Sequence, residues 1–268
     1  MFPIRDSTRT RSFPLINYAL IGATLFIFIV YQAAVPAERE SALVRKYALK
    51  PVFTVGFVQG KDRVAYEEYL PARDARGRPV YVTRRLIEPL TFWNSIFPLI
   101  SSMFLHGGLW HLLGNLWFLY IFGDNVEDRI GSGRYLLFYF LSGFGASLAQ
   151  IAFSPESAVP CIGASGAISG VLGAYAVSFP QARILSAIPF LYMIQLVEIP
   201  AVAFLFIWFG IQVLSGLFSS PVQGGVAWWA HIGGFVAGIA LVKFLFARPY
   251  PTRRSPWGRA RDVPFTRT

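Results

Sequence analysis

The sequence predicts an all-α polytopic membrane protein, a bundle of six transmembrane helices with a large first extramembrane loop. Three observations predict it. Only 14% of the 268 residues are charged against 54% hydrophobic, and mean hydropathy is +0.50, whereas soluble domains run near one quarter charged. Six apolar segments recur, at 15–36 and at roughly 106–123, 135–153, 163–179, 201–218 and 227–246. Lys and Arg are spread unevenly over the connections between them. The net charge of +10 would suggest nucleic acid on a soluble protein. Here the basic residues lie mostly beside apolar runs, so topology explains them. The expected partner is a lipid bilayer, not nucleic acid.

Taken in order, residues 1–14 form a short basic N-terminus with Arg5, Arg9 and Arg11 against Asp6. Residues 15–36 carry no charge and are long enough to span a hydrocarbon core of about 30 Å. Ala33-Ala34-Val35 weakly resembles a cleavage site, but the apolar region exceeds the usual ~7–15 residues of a signal peptide. A retained helix is expected. Residues 37–105 form the extramembrane loop. Its first part, 37–93, holds eleven Lys/Arg and seven Asp/Glu. Pro71, Gly77 and Pro79 inside 64–82 mark a loop or short hairpin, and the apolar stretch 94–105 is short enough to lie at the interface. The five remaining helices form a core at 106–246, with 188–200 as a shorter apolar stretch leading into the fifth helix. The tail 247–268 is Pro-rich and holds six arginines, the composition of a disordered segment that touches anionic lipid heads.

Arg129, Arg134 and Arg183 lie on one set of connections, while 154–162 and 219–226 have no Lys or Arg. By the positive-inside rule both termini are cytoplasmic. The second, fourth and sixth helices then all enter from the outer face, which places His106, His111, Ser165 and His231 at similar depth. A fourth helix over 165–179 is about 22 Å long, shorter than the ~30 Å core. Its start is expected to sit in a water-filled recess, since irregular backbone cannot face lipid. Gly166, Gly170 and Gly173 give the fourth helix a close-packing face, and Gly234 and Gly238 give one to the sixth. Packing these faces together brings Ser165 toward His231.

A serine hydroxyl needs a base to take its proton, and imidazole serves near pH 7. His231 is the candidate base for Ser165. His111 and Asn115 are four residues apart and share one helix face, so both offer hydrogen bonds to a developing oxyanion. Only Glu156 and Glu198 lie in the second half outside the tail, and neither adjoins the pair, so a dyad is expected. The string 163–167, Gly-Ala-Ser-Gly-Ala, approaches G-x-S-x-G except at its last position, and that elbow needs a preceding strand in an α/β sheet. The single cysteine, Cys161, excludes an internal disulfide and reads as a small apolar filler. Taken singly, a serine in a Gly/Ala-rich helix is usually a packing residue, and a membrane histidine is as readily a structural hydrogen bonder.

Together, Met-Phe-Leu-His-Gly-Gly (103–108), His111-x3-Asn115, Gly-Asp-Asn-Val-Glu-Asp-Arg (123–129), Gly-Ala-Ser-Gly (163–166) and Ala-His-x2-Gly-x3-Gly (230–238) resemble the rhomboid family of intramembrane serine proteases over about 101–242. The resemblance implies a six-helix bundle of bacterial type that cleaves transmembrane protein substrates without cofactor or metal. It implies Ser165 as nucleophile, His231 as general base, and His111 and Asn115 on the oxyanion side. Structural roles are implied for His106, for Glu127 and Arg129 at the cytoplasmic end of the second helix, and for Gly163. The implied location is a bacterial plasma (inner) membrane, with the site opening to its outer face. Two positions depart from the pattern. Phe97-Pro98 stands where rhomboids often carry Trp-Arg, and Ser169 where some members have an aromatic that stacks on the catalytic histidine. Two alternatives carry different expectations: an inactive relative that binds transmembrane clients, and a bis-histidine haem protein. Substrate identity and oligomeric state stay open.

Overall fold

The computed structural model describes residues 1–74, 76–190, 192–218 and 226–246, leaving aside the side chains of 69–72, 79, 81 and 190. The basic tail 247–268 and most of the connection 219–226 lie outside the described residues.

Six apolar helices carry the fold. They are α1 (Leu15–Ile27, continued by a π-helical turn Phe28–Ala33), α6 (Leu109–Ile130), α7 (Ser132–Phe153), α8 (Ser165–Ser178), α9 (Ala201–Phe218) and α10 (Trp228–Phe244). Between the first two lie α2 (Ala37–Tyr47), α3 (Pro51–Val58), strands β2 (Arg63–Arg73) and β3 (Pro79–Pro89), and the short turns α4 (Phe92–Ser95) and α5 (Pro98–Ser101). Among the described residues, three helical spans are long and apolar enough to cross a membrane, and a fourth if 92–104 and α6, bent by 73°, count as one. Helices α8 and α10 are apolar but shorter. At 14 residues, α8 is about 21 Å long, well under a hydrocarbon core.

The all-α expectation needs correcting to mostly α. A two-stranded antiparallel sheet pairs β2 with β3 from Arg63↔Pro89 to Arg73↔Pro79, so 64–82 belongs to a hairpin. A second sheet has the order β1-β4-β5, with β1 (Phe2–Asp6), β4 (Arg183–Phe190) and β5 (Met193–Pro200). The stretch 188–200 leads into α9 as expected, and it does so as strand: β5 ends at Pro200 and α9 begins at Ala201. In β4, Ile184 and Ser186 are buried two apart, the period of a strand.

Segment 37–91 is tied to the helical body by a bridge between Leu49 and Cys161 and a bond from the Val52 N–H to the Ser157 carbonyl, 3.1 Å. Both fall on the connection entering α8. At the position departing from the family pattern, Phe97 packs between Trp93 (ring centroids 5.2 Å) and Tyr47 (6.0 Å), while Pro98 opens α5.

Helix α1 starts after Pro14 with no side-chain cap of its own. Its first N–H groups are satisfied from α6, where buried Glu127 accepts from Ile16 (3.1 Å) and Asn17 (2.7 Å). An anion at a helix N-terminus also meets the positive end of its dipole. Arg129 lies in the last turn of α6. Glu127→Gln leaves one carbonyl oxygen for two donors and turns an amide toward the other. It is expected to destabilise the fold by about 1.5–3 kcal/mol, measured as a lower thermal midpoint in detergent.

The core is built on small residues. A Cβ on Gly234 would lie 2.0 Å from the Gly166 carbonyl oxygen, and one on Gly238 would lie 1.9 Å from that of Gly170. Helices α8 and α10 therefore touch backbone to backbone along these two steps. On its other side α8 meets α7, where a Cβ on Gly170 would strike Ser142 at 2.3 Å and one on Gly166 would strike Ala146 at 2.7 Å. This double contact sets the distance between the first turns of α8 and α10.

Candidate active site

Ser165 is the first residue of α8 and His231 lies in the first turn of α10. Close approach of these helices sets Ser165 Oγ 2.7 Å from His231 Nε2. His231 Nδ1 faces Gln212 Oε1 of α9, also at 2.7 Å. The rings of Trp208 (centroids 6.0 Å) and Trp228 (6.1 Å) flank the imidazole. They hold it although Ser169, standing where an aromatic was a possible partner, instead donates its hydroxyl to the Ser165 carbonyl at 2.6 Å.

The pair opens into a cavity of about 630 Å³, also lined by His111 and Asn115 of α6. His111 Nδ1 accepts the Gly107 N–H at 3.3 Å, so Nε2 carries the ring proton. That nitrogen points at Gly163, where a Cβ would come within 2.9 Å of it. Gly163 has φ +123°, a region that L side chains rarely adopt, so its missing side chain serves both the turn and the gap. Asn115 is buried, and its amide nitrogen has no hydrogen-bond partner among the described residues. An unmade bond of this kind costs about 1–3 kcal/mol, and Asn115 is one of the residues that line the cavity.

His106 does not lie in the second helix, as the apolar run suggested. It precedes α6 at the bend, fully buried, with Nε2 3.5 Å from the Ala164 N–H and Nδ1 3.4 Å from the Phe104 carbonyl. Gln32 of the first span holds it through two bonds, His106 N–H to Oε1 (2.9 Å) and Nε2–H to the His106 carbonyl (2.8 Å). His106 thus braces the turn into Ser165 from behind, outside the cavity lining.

Cys161 borders the same cavity. Burial pushes its thiol up to about 12, so it stays protonated near neutral pH and is no rival nucleophile. Among the described residues, no group of three His, Cys, Asp or Glu side chains is arranged to hold a metal ion.

Sequence reasoning missed Gln212, Trp208 and Gln32. For Gln212 a signal existed, since an amide inside the apolar run 201–218 is costly to bury and tends to mark function. Its partner is set by packing and left no local trace.

A family model described as Rhomboid domain matches residues 92–248, more than half of the chain. The chain belongs to the rhomboid family. It is 34% identical to "RHOMBOID-like protein 6, mitochondrial" of Arabidopsis thaliana, over 96% of this chain and 75% of that relative. It is 43% identical over 89 residues to "Rhomboid protease GluP" of Bacillus subtilis, covering 33% of this chain and 16% of that one. It is 30% identical to "Inactive RHOMBOID-like protein 8" of Arabidopsis thaliana, over 62% of this chain and 43% of that one. The chain thus spans three quarters of the first of these and under half of the other two. This rhomboid-family chain is a mostly helical membrane protein.

Proposed function

We propose that this rhomboid is an intramembrane serine endopeptidase hydrolysing peptide bonds in or near transmembrane segments of membrane proteins. The observation that carries the reading is the 2.7 Å contact of Ser165 Oγ with His231 Nε2 in a cavity also lined by Asn115, whose buried amide nitrogen has no partner among the described residues. A purely structural serine has no need of either.

In this reading Ser165 Oγ attacks the scissile carbonyl carbon while its proton passes to His231 Nε2. The carbonyl oxygen becomes an oxyanion and takes hydrogen bonds from Asn115 Nδ2–H and His111 Nε2–H. The C–N bond then breaks as His231 returns the proton to the departing amine. Water attacks the acyl-serine, giving its proton to His231, and collapse releases the acid and restores the serine hydroxyl. A helix hides its carbonyls, so the preferred substrate is a transmembrane segment that unwinds locally, with small residues near the cut.

The six apolar helices support a six-span topology. The Lys/Arg distribution supports cytoplasmic termini, with the cavity opening to the outer face; a bacterial plasma (inner) membrane is the location that the family resemblance implies.

The test is reconstitution in liposomes with a panel of single-span membrane proteins bearing small residues at one end of the span. The expected result is a new N-terminus within or beside the span. Failure to cut any of them, with clients still retained, would favour the inactive, client-binding reading that one relative's name exemplifies. Removing one oxyanion donor, in Asn115→Ala or His111→Ala, is expected to lower kcat about 10²–10³-fold with KM little changed.

A further inference from the structure

The sequence offers no acid to complete a triad, yet the outer nitrogen of His231 is not free. Gln212 sits on the inner face of α9, 6% exposed. Its amide nitrogen donates to the Trp208 carbonyl one turn earlier, at 3.3 Å, and its Oε1 meets His231 Nδ1 at 2.7 Å. These two contacts assign the protons. A backbone carbonyl only accepts, so the NH₂ end of the amide must face Trp208 and the oxygen must face the imidazole. An amide oxygen only accepts as well, so the proton of His231 resides on Nδ1. Nε2 is left with its lone pair toward Ser165 Oγ, the form a general base requires. A reversed amide would set two carbonyl oxygens against each other, draw the proton to Nε2, and disable the base.

We propose that Gln212 is the positioning residue of this site: through its bond to Trp208 it fixes the tautomer and ring plane of His231, as a third member that is neutral instead of acidic. The proposal rests on the hydrolase reading for its catalytic consequence, though not for the tautomer itself. As proton transfer makes the imidazole cationic, the bond from Nδ1–H to Oε1 becomes charge-assisted and strengthens, so Gln212 acts on the rate more than on binding. Among the described residues, the other titratable side chains that share the cavity with His231 are His111 of α6 and Cys161, beside the hydroxyls of Ser165 and Ser169 of α8.

The experiment uses the full chain in lipid nanodiscs with a biotinylated alkyl fluorophosphonate, comparing wild type with Gln212→Met, Gln212→Glu and Ser165→Ala. Nitrogen-15 histidine spectra are recorded on the same samples. In Gln212→Met, a residue of similar length that cannot accept the proton, the inactivation rate constant is expected to fall about 10–100-fold, as when an orienting hydrogen-bond partner is lost. The apparent affinity for the probe should hold. His231 should lose its single Nδ1–H tautomer, while the signals of His106 and His111 stay put and report an intact fold. Gln212→Glu keeps an acceptor oxygen toward His231 Nδ1, and in its protonated form also the donor to the Trp208 carbonyl, and should restore most of the rate. The proposal is overturned if Gln212→Met keeps both rate and tautomer, or if Met and Glu lose rate alike with the tautomer unchanged. If wild type takes up no probe while Ser165→Ala behaves the same, the hydrolase reading fails, and the spectra alone decide the role of Gln212.

Discussion

Ser165→Ala and His231→Ala are each expected to lower the cleavage rate by about 10⁴–10⁶-fold, because members of a nucleophile–base unit act together and are lost together. The double variant should be scarcely worse than either single one. Neither change creates a large defect. Ser165 Oγ is a terminal atom at the cavity edge, and the neighbours of His231 remain braced by Trp208, Trp228 and the α8–α10 contact. Ser165→Ala should therefore unfold at a temperature close to that of wild type, and His231→Ala, which leaves buried Gln212 Oε1 without its donor, should lose about 1–3 kcal/mol but stay folded, while the rate disappears in both. A Ser165→Ala variant that still cuts its substrate at the original bond would place the nucleophile elsewhere.

Gly238→Ala should show the opposite pattern, with stability and activity falling together. The added Cβ would lie 1.9 Å from the Gly170 carbonyl oxygen and 2.5 Å from two further backbone atoms. Backbone cannot swing aside as a side-chain tip does, so α8 and α10 must separate. A cost of about 3 kcal/mol or more is expected, at or above the upper end of overpacking, read as a lower thermal midpoint in detergent. Separation also lengthens the Ser165–His231 contact carried by these two helices, so the rate falls in protein that remains folded. Gly22→Ala is the control. Nothing lies within 4 Å of a Cβ there, and in a helix alanine is favoured over glycine by about 1 kcal/mol. It should be neutral or slightly stabilising.

These two contrasts also show what the sequence could and could not reveal. The apolar helices were legible because their signal is local, a charge-free run of the right length. The small-residue faces were legible from four-residue spacing on α8 and α10. The expected topology and the packing of these faces together pointed to the meeting of Ser165 and His231. The β1-β4-β5 sheet was not legible, because Phe2 pairs with Ala187 and no local pattern announces a partner so distant. His106 was misplaced by a few residues because the apolar run continues through the 73° bend, and hydropathy carries no record of backbone direction. Gln212 was visible as an oddity in an apolar helix. That it faces His231, 19 residues away, depends on how α9 packs against α10. The same holds for Glu127, whose carboxylate caps a helix more than a hundred residues upstream.

The decisive measurement is fluorophosphonate labelling of the full chain in lipid, with the modified peptide identified by mass spectrometry. A single adduct on Ser165, absent from His231→Ala, is the expected result. It would show a serine whose proton is taken by that histidine. Folded protein in lipid that forms no adduct, or forms one on another serine, would contradict the assignment of Ser165 and His231 as a working pair.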